Sequence, residues 1–237
     1  MALGTVLASA MTIGTSYASH SFSFSPDGNT AANEVLVADG KLTVCLMDYH
    51  HDYGENEPAS GGAKTIIGTY FSEATSSYRP KLVTEHSGVL QSLDAENSGD
   101  DDDRSIRNRF VGSSGIPTWA TMIGDETTSG IGTLYVDNSV GTAAIWTFSG
   151  PGRGSDTIKE IRRLYFVFDL SNITESGEAD SFTFNIRARR TTSTGGDADK
   201  LILIQGTTMA GDTSDYGNCF VADAVATENA IFFGSNF

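Results

Sequence analysis

Basic residues are scarce in this chain. Fifteen Lys and Arg stand against 30 Asp and Glu in 237 residues, a formal net charge of −15. A duplex nucleic-acid binder needs a positive face to neutralise phosphates, so nucleic acid is excluded as a partner. An anionic membrane surface is excluded for the same reason. Two cysteines cannot staple a disulfide scaffold, and Cys45, inside an apolar run, reads as a small buried hydrophobe. No apolar run approaches the roughly 18 residues of a membrane-spanning helix. The first Lys or Arg is Lys41, so the small-residue start lacks the positive region of a secretory signal and reads as an N-terminal arm or strand over 1–19.

Catalytic motifs are missing too. The chain has no Gly-x-Ser-x-Gly elbow, no His-Glu-x-x-His and no Cys/His constellation. Gly150-Pro151-Gly152-Arg153-Gly154 lacks the Gly-Lys-Ser/Thr end of a phosphate loop. Thirty acids make a glycosidase-like carboxylate pair possible by number alone, and number is no evidence of one. The expectation is a protein that is not an enzyme.

What is present is alternation. At 39% hydrophobic and 10% aromatic, the chain can bury a core. Leu42, Val44 and Leu46 fall on one strand face. Phe182, Phe184 and Ile186 alternate with outward Thr183, Asn185, Arg187 and Arg189. Leu164 to Leu170 is apolar on both faces, as in a doubly covered strand. Turn signals such as Pro26-Asp27-Gly28-Asn29, Ser60-Gly61-Gly62 and Gly195-Gly196-Asp197 separate the runs. Short strands with such turns predict an all-β, antiparallel fold, a β-sandwich or barrel, and the β-sandwich is the expectation taken forward. Helical pattern is sparse: a turn over 157–163 and one short helix within 218–231. The polar stretch 87–109, with Asp100 to Asp103 inside it, predicts an acidic linker or loop between a β-unit over 20–86 and a β-sandwich unit over 110–237.

Three passages resemble a family. Tyr70-Phe71-Ser72-Glu73-Ala74 followed by Ser77-Tyr78-Arg79-Pro80-Lys81-Leu82-Val83 resembles the closing strand of DNRLRE-type jelly-roll modules. These modules occur in phage virion proteins and secreted bacterial surface proteins, and are similar in fold to carbohydrate-binding modules. Arg162-Arg163-Leu164 through Phe168-Asp169-Leu170-Ser171-Asn172-Ile173 resembles their central phrase, and Leu93-Asp94-Ala95 with Arg109-Phe110-Val111-Gly112 their opening. The order is inverted, because the closing phrase precedes the central one. Two readings follow: strands exchanged between subunits complete two cut modules, or one permuted sandwich closes on itself. The resemblance implies a structural protein on a virion's external surface, as capsid decoration, fibre or collar component. Its partners would be other virion proteins and copies of itself. The alternative it implies is a module that binds host-surface glycans.

Candidate residues follow from the same pass. Pro80 suits the first residue of a strand because it cannot donate to a ladder. Asp169, between Phe168 and Leu170, must be satisfied by backbone N–H groups or by Arg162 or Arg163, which makes it a fold anchor. If the strand through Leu46 continues, Asp48, His50 and Asp52 share a face that could hold a divalent cation, the one cofactor considered; a polar loop is the plainer reading. Tyr49, Tyr53 and the loop residue Trp119 are candidates for stacking on a sugar, while Trp146 reads as core. Asp100, Asp101, Asp102 and Asp103 read as a solvated loop, a calcium site without the EF-hand spacing, or a docking partner for the basic island Arg187, Arg189 and Arg190 on another subunit. Apart from these, the acids are expected in loops and on the outer surface.

Overall fold

The computed structural model describes residues 2–3, 5–38, 40–59, 63–72, 74–96, 103–124, 133–137, 142–194, 200–206 and 220–221. Fourteen strands run in chain order: β1 Ala2–Leu3, β2 Val6–Thr12, β3 Ala18–Ser23, β4 Lys41–Asp48, β5 Ala63–Tyr70, β6 Lys81–His86, β7 Val89–Asp94, β8 Arg104–Gly112, β9 Thr133–Asp137, β10 Thr142–Pro151, β11 Thr157–Asp169, β12 Ser181–Thr194, β13 Lys200–Gln205 and β14 Phe220–Val221. Two α-helices join them among the described residues, α1 Pro26–Val37 and α2 Trp119–Gly124.

All pairings are antiparallel. The main sheet runs β2-β13-β4-β11-β10-β5-β12-β6-β7, with β3 beside β12, β8 beside β11 and β9 beside β8. Two long strands turn this path back on itself. Residues 157–162 of β11 pair with both β10 and β8, so those two lie on opposite edges; further on, residues 164–169 pair with β4. β12 does the same, pairing with β6 through 181–185 and with β5 through 188–194. The two leaves then face each other across a shared core: Leu42, Val44, Leu46, Leu164, Phe166, Phe168, Leu201 and Leu203 against Phe22, Leu82, Phe182, Phe184 and Ile186. Phe184 meets Phe166 and Phe168 at ring-centroid distances of 5.4 and 5.9 Å, in the tilted and edge-on arrangements that aromatic pairs favour. The fold is all-β, as the alternation predicts.

The central strands are covered on both faces. Cys45, Met47, Tyr165, Val167, Ile202 and Ile204 form a second cluster with Trp119, Met122 and Ile123 of α2. This matches the two-sided apolar pattern of 164–170.

Four expectations change. The stretches 20–86 and 110–237 interleave, since β4 lies between β11 and β13, and β5 between β10 and β12. The expected linker contains β7 and most of β8. Residues 157–163 are strand, not turn. Pro26 to Asn29, read as a turn, opens α1: the Ser25 hydroxyl accepts from Gly28 N at 3.0 Å, Pro26 sits in the first turn where its missing N–H costs nothing, and Asp27 adds a favourable charge there. A Cβ on Gly28 would lie 2.3 Å from the Leu7 carbonyl oxygen, so α1 seats on β2 only through a glycine. The expected helix over 218–231 lies outside the described residues except Phe220–Val221, which is strand β14.

Candidate functional site

Strand β4 ends at Asp48, and the chain then makes one π-helical turn, Tyr49–Tyr53. Asp48 causes the change: its Oδ1 accepts the backbone N–H groups of His50 at 2.9 Å and His51 at 2.6 Å, capping the turn. The expected extended face of Asp48, His50 and Asp52 therefore does not form. Asp52 is turned inward onto Arg163, whose Nε and Nη2 donate to its two oxygens at 2.7 Å each; the side chains are 1% and 0% exposed. His51 is buried with Nδ1 donating to the Asn56 carbonyl at 2.8 Å. Burial pushes the Asp48 carboxyl above the usual carboxylate range, opposed by the His51 amide and ring. Among the described residues, no three His, Cys, Asp or Glu side chains converge so as to hold a metal ion.

The sugar-stacking trio also comes apart. Trp119 is 3% exposed, with its indole N–H donating to the His51 carbonyl at 2.7 Å. It ties α2 to the π turn and offers no outer platform, because the loop after Ile116 folds inward as α2. Tyr49 and Tyr53, four residues apart on one helical turn, stack on each other at 5.6 Å and 16°. Burial, with Tyr49 adding to it, raises the Tyr53 phenol above its ordinary value. Trp146, expected in the core, is half-buried with Arg162 over its ring.

The contact of Arg163, Asp52 and α2 is one of several polar contacts on the two faces of the β8–β11 pair. Arg163 Nη2 also donates to the Ile123 carbonyl, and Asn108 Nδ2 to that of Met122, each at 3.0 Å. These satisfy carbonyls that the short helix leaves open. Glu160, nearly buried, receives Arg162, Arg109 and Arg107 at 3.0, 3.4 and 3.8 Å. Lys159 meets Glu57 at 2.7 Å. Each of these pairs gives a buried charge, on Asp52 and Arg163, Glu160 or Lys159, an ionic partner.

Asp103 is fully buried, where a solvated loop acid was expected. Its oxygens accept Ser72 N at 2.6 Å and Ser72 Oγ at 2.8 Å. Asp100, Asp101 and Asp102 lie outside the described residues. Asp169 is satisfied by the backbone: its Oδ1 accepts Ser171 N at 3.0 Å and Ser171 Oγ at 2.6 Å, capping a 3-10 turn over Leu170–Asn172, and neither Arg162 nor Arg163 reaches it. Pro80 stands immediately before β6 and accepts Ala95 N through its carbonyl.

Arg187 and Arg189 project from the outer face of β12, while Ala188 and Ile186 point into the core. Arg190 donates its backbone N–H to Gly14 at a bulge and is half-buried. Each of the two outward arginines lies over a tyrosine ring: Arg187 Cζ is 4.5 Å from the Tyr78 centroid, and Arg189 Cζ 4.5 Å from that of Tyr17. Tyr70 fills the gap, 5.1 Å from Tyr17 and 5.0 Å from Tyr78. The result is a continuous strip, Arg189–Tyr17–Tyr70–Tyr78–Arg187. Sequence reasoning placed the arginines outward and missed the tyrosines. Tyr70 and Tyr78 stand inside the passage that resembles a closing strand, but Tyr17 comes from a separate segment that only the β3–β12 register brings alongside. In comparisons with protein families, curated proteins and solved structures, no family model, no curated protein and no solved structure matches the chain.

Proposed function

We propose that this chain is a non-enzymatic structural protein of a phage particle's exterior, acting by contacts between its own copies and with other virion proteins. Support comes from the passages that resemble virion jelly-roll modules, from the all-β sandwich, and above all from an edge strand, β7, that is apolar and exposed at its turn end. β7 is the last strand of the main sheet. Ser87 and Gly88, both at positive φ, make the two-residue turn from β6. Immediately after it, Val89 and Leu90 are 50% and 67% exposed. The strand Val89–Asp94 has one charge, no Lys and no Pro, so it lacks the devices that keep edges from pairing. A second copy that added a strand here would bury both apolar side chains and complete the open ladder.

Sedimentation velocity over a range of concentrations tests this reading. We expect reversible oligomers, and Leu90→Asp should shift them toward monomer. Losing one buried Leu costs about 2 kcal/mol, roughly 30-fold in the dissociation constant, with the melting of the monomer unchanged. A chain that stays monomeric at every concentration overturns assembly. Labelled antibody against the chain should decorate intact particles made by cells that carry the sequence; label confined to disrupted particles overturns the exterior placement.

A further inference from the structure

The strip on β12 is set apart by what its arginines do not touch. Acids outnumber bases two to one in this chain, and the neighbouring bases have found them: Arg163 holds Asp52, three arginines share Glu160, and Arg79 and Lys81 meet Asp94. Among the described residues, no carboxylate lies within ion-pair distance of Arg187 or Arg189. The Arg187 Nε is enclosed and has no hydrogen-bond partner there either, so its Nη groups are the donors left outward. What holds both guanidiniums is the tyrosine faces beneath them. A guanidinium resting on a ring is fixed in direction while the donors at its edge stay available, and that edge matches a planar anion with two N–H bonds.

The spacing and surroundings narrow the ligand. Arg187 and Arg189 are two residues apart on one strand, so their Cα atoms stand about 7 Å apart. Between them runs the half-buried row of Tyr17, Tyr70 and Tyr78. Gly68, which pairs with Arg189, adds no side chain over it. A polyphosphate would meet the repulsion of the whole acidic molecule at every closely spaced charge. A polymer whose acid groups are spaced by neutral rings with C–H faces suits the site better: the acids take the guanidinium edges and the rings lie against tyrosine.

We propose that this strip binds an anionic saccharide, with Arg187 and Arg189 receiving its acid groups and Tyr17, Tyr70 and Tyr78 supporting its rings. The site does not depend on self-assembly and is separate from β7. Calorimetric titration of the full chain with oligogalacturonate and with heparin oligosaccharides separates carboxylate from sulfate recognition; neutral maltooligosaccharides serve as the control. We expect one of the two acidic series to bind, the neutral series to bind at least ten-fold more weakly, and added salt to weaken the interaction. Arg187→Gln and Arg189→Gln should each lower affinity about ten-fold. Arg187→Lys and Arg189→Lys, which keep the charge and lose the planar edge, should recover only part of it and guard against a misfolded Gln variant. The proposal is overturned if neither acidic series binds, if neutral and acidic series bind alike, or if the double Gln variant binds as the wild type does. It is also overturned if the arginine variants change the sedimentation of the chain in place of saccharide binding, since the strip would then be a contact for another copy's acidic surface.

Discussion

Replacing Asp52 by Asn tests these polar contacts at their most enclosed point. The Asp52 and Arg163 side chains are 1% and 0% exposed and share two hydrogen bonds of 2.7 Å. Asn has nearly the volume of Asp, so no cavity opens, and the change removes the charge alone. For unit charges about 4 Å apart at an effective dielectric of 20, the lost attraction is about 4 kcal/mol. Mutational experience with a charge stranded by loss of its buried partner gives about 3–5 kcal/mol. The two agree, and in a chain of this size about 4 kcal/mol lowers the melting temperature by roughly 8–16 °C. Arg163→Met should cost a similar amount, because it strands Asp52 and also leaves the Ile123 carbonyl without its donor.

The double variant Asp52→Leu/Arg163→Met decides whether this account is right. With both charges gone, neither desolvation nor attraction remains, and the Ile123 carbonyl is left without its Arg163 donor, at about 1–3 kcal/mol. The double variant should therefore be more stable than either single one. Urea unfolding at constant m-value of the wild type, Asp52→Leu, Arg163→Met and the double variant measures all four corners of the cycle. Additive single costs, or an Asp52→Asn cost below about 1 kcal/mol, would refute the claim that the pair acts as one closed unit.

Two further perturbations probe local geometry. Burial makes the Asp48 carboxyl a weaker acid in the folded chain than its ordinary value of 3.8, so the folded state keeps the proton longer and stability falls as pH rises from about 4 through the folded pKa; Asp48→Asn should remove that slope in urea melts between pH 4 and 8, and an unchanged slope would assign it to other groups. Gly28→Ala should destabilise by about 1–3 kcal/mol, since its Cβ would meet the Leu7 backbone at 2.3 Å; a gain of about 1 kcal/mol, which helix propensity alone would give, would mean that α1 shifts freely on β2.

The fold was legible where one physical rule governed a whole run. Period-two alternation in β4 and β12, and two-sided apolarity in β11, follow directly from strand geometry and burial. Local capping competed with that rule at two points and prevailed. Asp48 takes two backbone amides and ends the strand before His50. Ser25-Pro26-Asp27 starts a helix that the Pro-Asp-Gly-Asn signal hides. Both capping patterns stand in the sequence, and reading them ahead of the turn or strand signal would have found both elements. Trp119 and Tyr17 are different: the indole meets His51 and the phenol ring meets Tyr70 only after distant strands pair, and no local pattern encodes those partners.

The charge distribution also takes on a different meaning once the strands are paired. Acids placed by composition in loops and on the surface include Asp48, Asp52, Asp103 and Glu160, each at most 5% exposed. Asp48 and Asp103 lie at or beside a strand end and take backbone amides; Asp52, in the π turn, takes Arg163, and Glu160, within β11, takes arginines from β8 and β11 itself. An enclosed acid is tolerable only with a donor already in place, so each buried carboxylate claims either an N–H group or a cation. Basic residues are few, and this claim takes Arg163 on one face of β11 and Arg107, Arg109 and Arg162 on the other. On the opposite leaf, β12 buries Phe182, Phe184, Ile186 and Ala188, and among the described residues no acid pairs with Arg187 or Arg189. Tyrosine rings are left to hold them. A basic, aromatic strip on a protein of net charge −15 is thus consistent with where the described buried acids sit.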